Sequence, residues 1–200
     1  MSDTRATNTR HSSLVTGLVL AGGMGRRMDS RDKGLVEFRG KPMAAHVIDR
    51  LAPQVECLLI NANRSLDQYG AFGHPVVSDE VGGFAGPLAG LHAGLKHCAT
   101  PFIVTAPCDS PFLPIDLVAR LYEAVQENIA NLAVAKTGNQ AQPVFALYSA
   151  ALLPSLTQFL EAGGRKIDAW YSTHRVVEVS FSDESAFANI NTIAELQALQ

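Results

Sequence analysis

The sequence predicts one three-layer α/β domain, Rossmann-like, built on a mostly parallel sheet. Three observations predict it. Short, nearly all-apolar runs alternate with helical patterns from residue 15 onward, as strands covered on both faces by helices require. The conspicuous polar or glycine-rich segments, 21–34, 61–64, 78–86 and 107–111, all follow such runs, and ligands in parallel sheets sit beyond the carboxyl ends of the strands. Finally, 200 residues that are 47% hydrophobic and 18% charged fill one core of ordinary size, with no internal repeat or linker.

Each element has its own warrant. Residues 1–14, "MSDTRATNTRHSSL", contain no apolar h-region of a secretory signal; their Arg and Thr content leaves a transit peptide as an alternative, but Asp3, the short length and the polarity predict a disordered tail before a domain over 15–200. "VTGLVL" (15–20) is a β-rich run ending in glycines, hence a buried strand that empties into a loop. "MAAHVIDRLAP" (43–53) has helical spacing and stops at Pro53. "VECLLINAN" (55–63) and "HPVVSDE" (74–80) are strands with polar carboxyl ends, and Pro87 suits the first turn of a helix running to about Cys98. "PFIVTAPCDSPFLP" (101–114) is a strand closed by a proline-bracketed loop, and 114–129 is the clearest amphipathic helix. Strands at 131–137 and 143–149, helices at 150–161 and from about Lys166, a strand at 175–181 and a helix at 192–199 complete the chain.

Charge and cysteine content exclude several classes. The net charge of -3 and pI near 6.0 argue against nucleic acid as an obligatory partner. No apolar run reaches the roughly 18 residues of a membrane span. Cys57, Cys98 and Cys108 form no CxxC pair and leave an odd count, which predicts reduced thiols and a cytoplasmic location. The six histidines show no ligand spacing; His92 and His97 are five apart.

Against this acidic background one segment is basic. Arg26, Arg27, Arg31, Lys33, Arg39 and Lys41 supply six of the sixteen basic residues, directly behind Gly22, Gly23 and Gly25. Neither GxGxxG nor Walker A fits: position 28 is Met, and Gly40-Lys41 is followed by proline. The physics of anion binding remains. Glycines let backbone N–H groups approach phosphate oxygens, and Arg27 and Lys33 can neutralise a polyphosphate. Asp109 in "PCDSP", held between Pro107 and Pro111, is a rigid hard-oxygen donor suited to Mg²⁺ shared with substrate phosphates. Asn61 and Asp79, at the ends of neighbouring strands, can read hydrogen-bonding groups of a base or ribose, although turn formation and strand capping are the plainer alternatives. Asn191 or Thr192 can cap the final helix, which leaves Asn189 unexplained by capping.

"LAGGMGRRM…DKG…GKP" resembles the signature of the nucleotidyltransferase superfamily and, within it, the molybdenum cofactor guanylyltransferases of the MobA family. "NANR" (61–64), "SDE…GPLAG" (78–90), "PCDSPFLP" (107–114), "QPVFAL" (142–147), "AGGRK" (162–166) and "NINTIAEL" (189–196) extend the resemblance over residues 15–199. Asp29 stands where the family commonly has glycine, and Gln142 where it frequently has histidine. The resemblance implies a nucleotidyltransferase domain that moves GMP from GTP to the phosphate of molybdopterin in the molybdenum cofactor, with Mg²⁺ on Asp109. It implies GTP binding by Leu20, Ala21, Gly22, Gly23, Lys33, Asn61, Asp79 and Asp109, and catalysis by Arg27, Lys33 and Asp109. Lys166, Asn189 and Asn191 would face the pterin. Transient contacts with molybdenum-insertion proteins and recipient apoenzymes are expected, and contacts with nucleic acid or membrane are not. A cytidylyltransferase acting on the same pterin is the nearest rival, disfavoured by "LAGG" in place of "LAAG". A non-catalytic nucleotide-binding module would not need both Lys33 and Asp109.

Overall fold

The computed structural model describes residues 12–22, 32–81 and 86–199. Alternation along β1 (Val15–Leu20) shows why three layers form: Val15 and Val19 enter one buried cluster, while Leu18 and Leu20 pack into the other. The first cluster lies beneath α1 (Met43–Leu51) and α4 (Leu117–Asn128), through Val47, Leu51, Leu121 and Val125. The second lies beneath α3 (Pro87–Lys96), α5 (Leu153–Glu161) and α6 (Ile167–Tyr171), through Leu88, Leu91, Leu156 and Trp170. The sheet therefore has helices on both faces, as its apolar strands predict.

Beyond β1, the described strands are β2 (Glu37–Phe38), β3 (Lys41–Pro42), β4 (Cys57–Asn61), β5 (Val76–Val77), β6 (Phe102–Pro107), β7 (Leu132–Thr137), β8 (Gln140–Ser149) and β9 (Val176–Phe181). The helices α2 (Leu66–Gly70) and α7 (Ile193–Ala198) complete the set. The seven-stranded sheet runs β5-β4-β1-β6-β8-β7-β9, and β2 pairs only with β3. Every pairing in the large sheet is parallel except the two made by β8. Only Gly138 and Asn139 separate β7 from β8, too few residues for a crossover, so β8 must turn back as a hairpin.

The small β2–β3 hairpin was not expected from the sequence. Arg39 (φ 48°) and Gly40 (φ 80°) both take left-handed conformations at its tip, as a two-residue type I′ connection requires. Arg39 then donates through Nε (3.0 Å) and Nη2 (2.6 Å) to the Leu199 carbonyl, tying the chain end to this hairpin.

Chain order places the site. From β1 the chain steps outward through β4 to β5, then returns to β6 on the opposite side of β1. The carboxyl ends of β1 and β6, paired at Leu20 and Pro107, thus flank a topological switch point, where open α/β sheets bind ligands.

Candidate active site

Two groups of polar side chains stand on this edge. The first gathers at the end of β6. Lys33, in the 3₁₀ turn Lys33–Leu35, donates to Asp109 Oδ2 at 3.2 Å and to Asn191 Oδ1 at 2.7 Å. Asn189 Oδ1 accepts from Ser110 Oγ at 2.5 Å, and the Ile190 N–H donates to the Asp109 carbonyl at 2.9 Å. The segment 189–191 is thereby stitched alongside 109–110. Thr192, not Asn191, caps α7: it forms a capping box with Glu195, whose carboxylate also accepts the Asn191 N–H at 2.7 Å. That frees the Asn191 amide to hold Lys33. Its Nδ2 donates to the Asn189 carbonyl at 3.3 Å.

A lysine paired in this way is neutralised but available. The Lys33 and Asp109 side chains are 20% and 12% exposed, enough to meet an incoming anion and too little for water to screen the pair fully. The pair uses Asp109 Oδ2. Among the described residues no group of three His, Cys, Asp or Glu side chains could cage a metal ion. One hard carboxylate at this edge fits Mg²⁺, which commonly takes one or two protein carboxylates and completes its shell with substrate oxygens and water.

The second group sits at the ends of β4 and β5. Asn61, 2% exposed, donates through Nδ2 to the Val77 carbonyl (3.2 Å) and to Asp79 Oδ1 (2.8 Å). Asn63 donates to Asp79 Oδ2 at 2.8 Å and accepts the Asp79 N–H at 2.9 Å. Both carboxylate oxygens of Asp79 are thus oriented by amides. The chain after β1 crosses directly over this pair. A Cβ at Gly22 would lie 2.9 Å from Asn61 Oδ1 and 2.9 Å from Asn63 Nδ2, so glycine is needed there for close approach. Gly90, at the start of α3, is tighter still: a Cβ there would collide with Asn61 Oδ1 and lie 2.7 Å from Leu20 Cδ2.

The structure brings Lys33, Asp109, Asn189 and Asn191 into one cluster, and Asn61, Asp79 and Gly22 into another on the adjoining strands. Leu20 and Ala21 form the rim of β1; the Ala21 N–H continues the ladder by donating to the Asn61 carbonyl at 2.8 Å. Gly23, Arg27 and Asp29 lie outside the described residues. Lys166 stands apart, exposed at the N-cap of α6, with no hydrogen bond or ion pair to either cluster among the described residues. Gln142 donates to Thr137 Oγ1 at 2.9 Å across the β7–β8 hairpin.

Sequence reasoning missed Asn63 as a member of the second group, although it falls inside a quoted motif. It also missed a buried set beneath the first. Tyr69 Oη donates to Asp32 Oδ1 at 2.5 Å, and Arg64 Nε lies 3.5 Å from Asp32 Oδ2. Burial, with Cys108 and Asp32 adding to it, pushes the Tyr69 phenol far up, so it stays a donor. Burial likewise raises the Cys108 thiol, with help from Asp109, which keeps it an unreactive floor beneath the site.

Fold and site together define a nucleotide-handling α/β domain: a switch-point edge with a lysine–aspartate ion-pair half and an amide-and-carboxylate half. The chain belongs to the family described as the MobA-like NTP transferase domain, which it matches over residues 17–176. A protein of Cupriavidus taiwanensis, called molybdenum cofactor guanylyltransferase, is 57% identical over 92% of this chain and 95% of its own length. A Ralstonia nicotianae protein of the same name is 56% identical over 94% of this chain and 97% of its own. The crystal structure of molybdopterin-guanine dinucleotide biosynthesis protein A from Archaeoglobus fulgidus superposes with a TM-score of 0.73 at 26% identity, covering 92% of this chain and 96% of that one.

Proposed function

We propose that the protein transfers GMP from GTP to the terminal phosphate of molybdopterin in the molybdenum cofactor, forming its guanine dinucleotide and releasing pyrophosphate. The observation that carries the reading is the convergence of Lys33, Asp109 and Asn191 at the switch point, in a chain whose relatives bear the guanylyltransferase name.

The chemistry needs no protein nucleophile. A phosphate oxygen of the pterin forms a bond to the α-phosphorus of GTP, and the bond from that phosphorus to the bridging oxygen of the β-phosphate breaks. The enzyme's tasks are alignment and charge neutralisation. Lys33 supplies a point charge at the phosphates, and the resemblance adds Arg27 and the N–H groups of Gly22 and Gly23. Asp79, fixed by Asn61 and Asn63, with Asn61 itself set close against the small Gly90, offers its remaining acceptor lone pairs to N–H or O–H groups of the base or ribose. Asn189 and Asn191 adjoin Asp109 and Lys33 and, as the resemblance implies, would face the pterin; Lys166 would engage it from further out. Mg²⁺, held by Asp109 with phosphate oxygens, would neutralise phosphate charge. Three free thiols, Cys57, Cys98 and Cys108, suit the cytoplasm. Among the described residues no helix is long and apolar enough to cross a membrane. Delivery and recipient proteins would meet the open edge transiently.

The test is isotopic. With purified molybdenum cofactor, label in the α-phosphate of GTP should enter the cofactor while γ-label leaves as pyrophosphate. Release of γ-label as orthophosphate, with none of the α-label in the pterin, would contradict the assignment.

A further inference from the structure

Asp32 precedes Lys33 and has no role in the chemistry above, yet its side chain is only 9% exposed. A carboxylate removed from water costs several kcal/mol unless it is paired, so its burial calls for a reason. Oδ1 accepts from the fully buried Tyr69 Oη at 2.5 Å, and Oδ2 faces Arg64 Nε at 3.5 Å. The turn closes on Asp32 itself: its carbonyl accepts the Leu35 N–H at 3.0 Å, and the Lys33 carbonyl accepts the Val36 N–H at 3.2 Å. Gly34 lies on the same floor, where a Cβ would meet Tyr69 Oη and come within 3.1 Å of Cys108 Sγ. The turn carrying Lys33 is therefore pinned on both sides of the lysine. Cys108, part of that floor, directly precedes Asp109, the lysine's partner.

Lysine is a flexible four-carbon arm rich in rotamers, so its ammonium is placed only if both ends are fixed. Asp109 and Asn191 fix the tip. We propose that Asp32 and Tyr69 are positioning residues that fix the base: their buried hydrogen bond sets the turn from which Lys33 meets the phosphates. This rests on Lys33 acting at the phosphates, as in the function proposed above.

The test combines a rate cycle with a direct view of Lys33. Tyr69→Phe removes one hydroxyl, and Asp32→Asn keeps the volume while removing the charge. Each should lower kcat about tenfold and change KM for GTP less than threefold. In a Lys33→Met background, the same substitutions should change the remaining rate less than twofold, because the residue they act through is gone. The ¹³C-dimethyl-lysine resonance of Lys33, assigned by its loss in Lys33→Arg, should move toward that of exposed lysines in both variants. Equal losses in the two backgrounds, or a Lys33 resonance identical to the parent's, would overturn the proposal. If the parent transfers no GMP but the resonance moves, the positioning role stands and the functional reading falls. Should Tyr69→Phe fail to fold, Asp32→Asn decides alone by the same two readouts.

Discussion

Replacing Gly90 by alanine adds one methyl group where the structure has no room. The new Cβ would sit inside the 3.0 Å that real Cβ atoms essentially never breach, against Asn61 Oδ1, with Asn61 Cγ at 2.9 Å and Leu20 Cδ2 at 2.7 Å. Leu20 can shift slightly. Asn61 cannot move cheaply, because its Nδ2 is bonded to the Val77 carbonyl and to the Asp79 carboxylate. Turning the amide away sacrifices a neutral bond worth about 1 kcal/mol and a charge-assisted one worth about 1.5–3 kcal/mol. Alanine's better helix propensity returns about 1 kcal/mol. The net expectation is a loss of about 1.5–3 kcal/mol in urea unfolding. GTP affinity should also fall at least tenfold, about 1.4 kcal/mol, because Asn61 and Asp79 no longer hold their joint orientation. Gly70→Ala is the control: nothing lies within 4 Å of a Cβ there, so stability should stay within about 0.5 kcal/mol of the parent or rise slightly. If Gly90→Ala matches Gly70→Ala in stability and keeps the parent's GTP affinity, Asn61 does not stand where this account needs it.

Other expectations follow from the same geometry. Asp109→Asn keeps the volume and removes the charge, so turnover should fall about a hundredfold or more, while GTP affinity measured without metal changes little; parent turnover with the parent Mg²⁺ dependence would overturn the metal assignment of Asp109. Asn189→Ala should weaken pterin binding and leave GTP affinity within about threefold, read by calorimetry with each ligand. Lys166→Ala should have a smaller effect on the pterin than Asn189→Ala, since Lys166 stands outside the cluster; the reverse order would place the pterin nearer α6. Asn191→Ala should lower kcat more than Asn189→Ala does, because it also removes the 2.7 Å acceptor that holds Lys33.

Much of this was legible in the sequence, for identifiable reasons. All-apolar runs such as "VTGLVL" have no solvent face to spare, so a doubly covered parallel sheet followed from composition and order alone. The reversed direction of β8 was not read, because the strands expected at 131–137 and 143–149 leave five residues between them, whereas β8 begins at Gln140, with two residues between it and β7. The β2–β3 hairpin was hidden because its tip is Arg-Gly, and an arginine at positive φ carries none of the usual turn signal. Strand order was not legible, since alternation says nothing about which side of β1 receives β6. The same limit applies within the site. Lys33 and Asp109 each announce their chemistry, but the hold of Asn191 on Lys33 spans 158 positions and exists only in the folded chain. Asp32 and Tyr69 are more hidden still: their bond is buried beneath the motif that drew attention to Lys33.

The central claim is that this edge joins a guanine nucleotide to the phosphate of a pterin. The most direct measurement is a panel of GTP, CTP and ATP, each incubated with purified molybdenum cofactor and the parent protein, with the dinucleotide product identified by mass. A site that hydrogen-bonds one base rejects others by leaving its own polar groups unpaired, often at a cost of several kcal/mol. The account predicts the guanine dinucleotide, with GTP preferred at least a hundredfold in kcat/KM over the other two. Equal turnover of CTP, or transfer to no pterin product from any nucleotide, would contradict it.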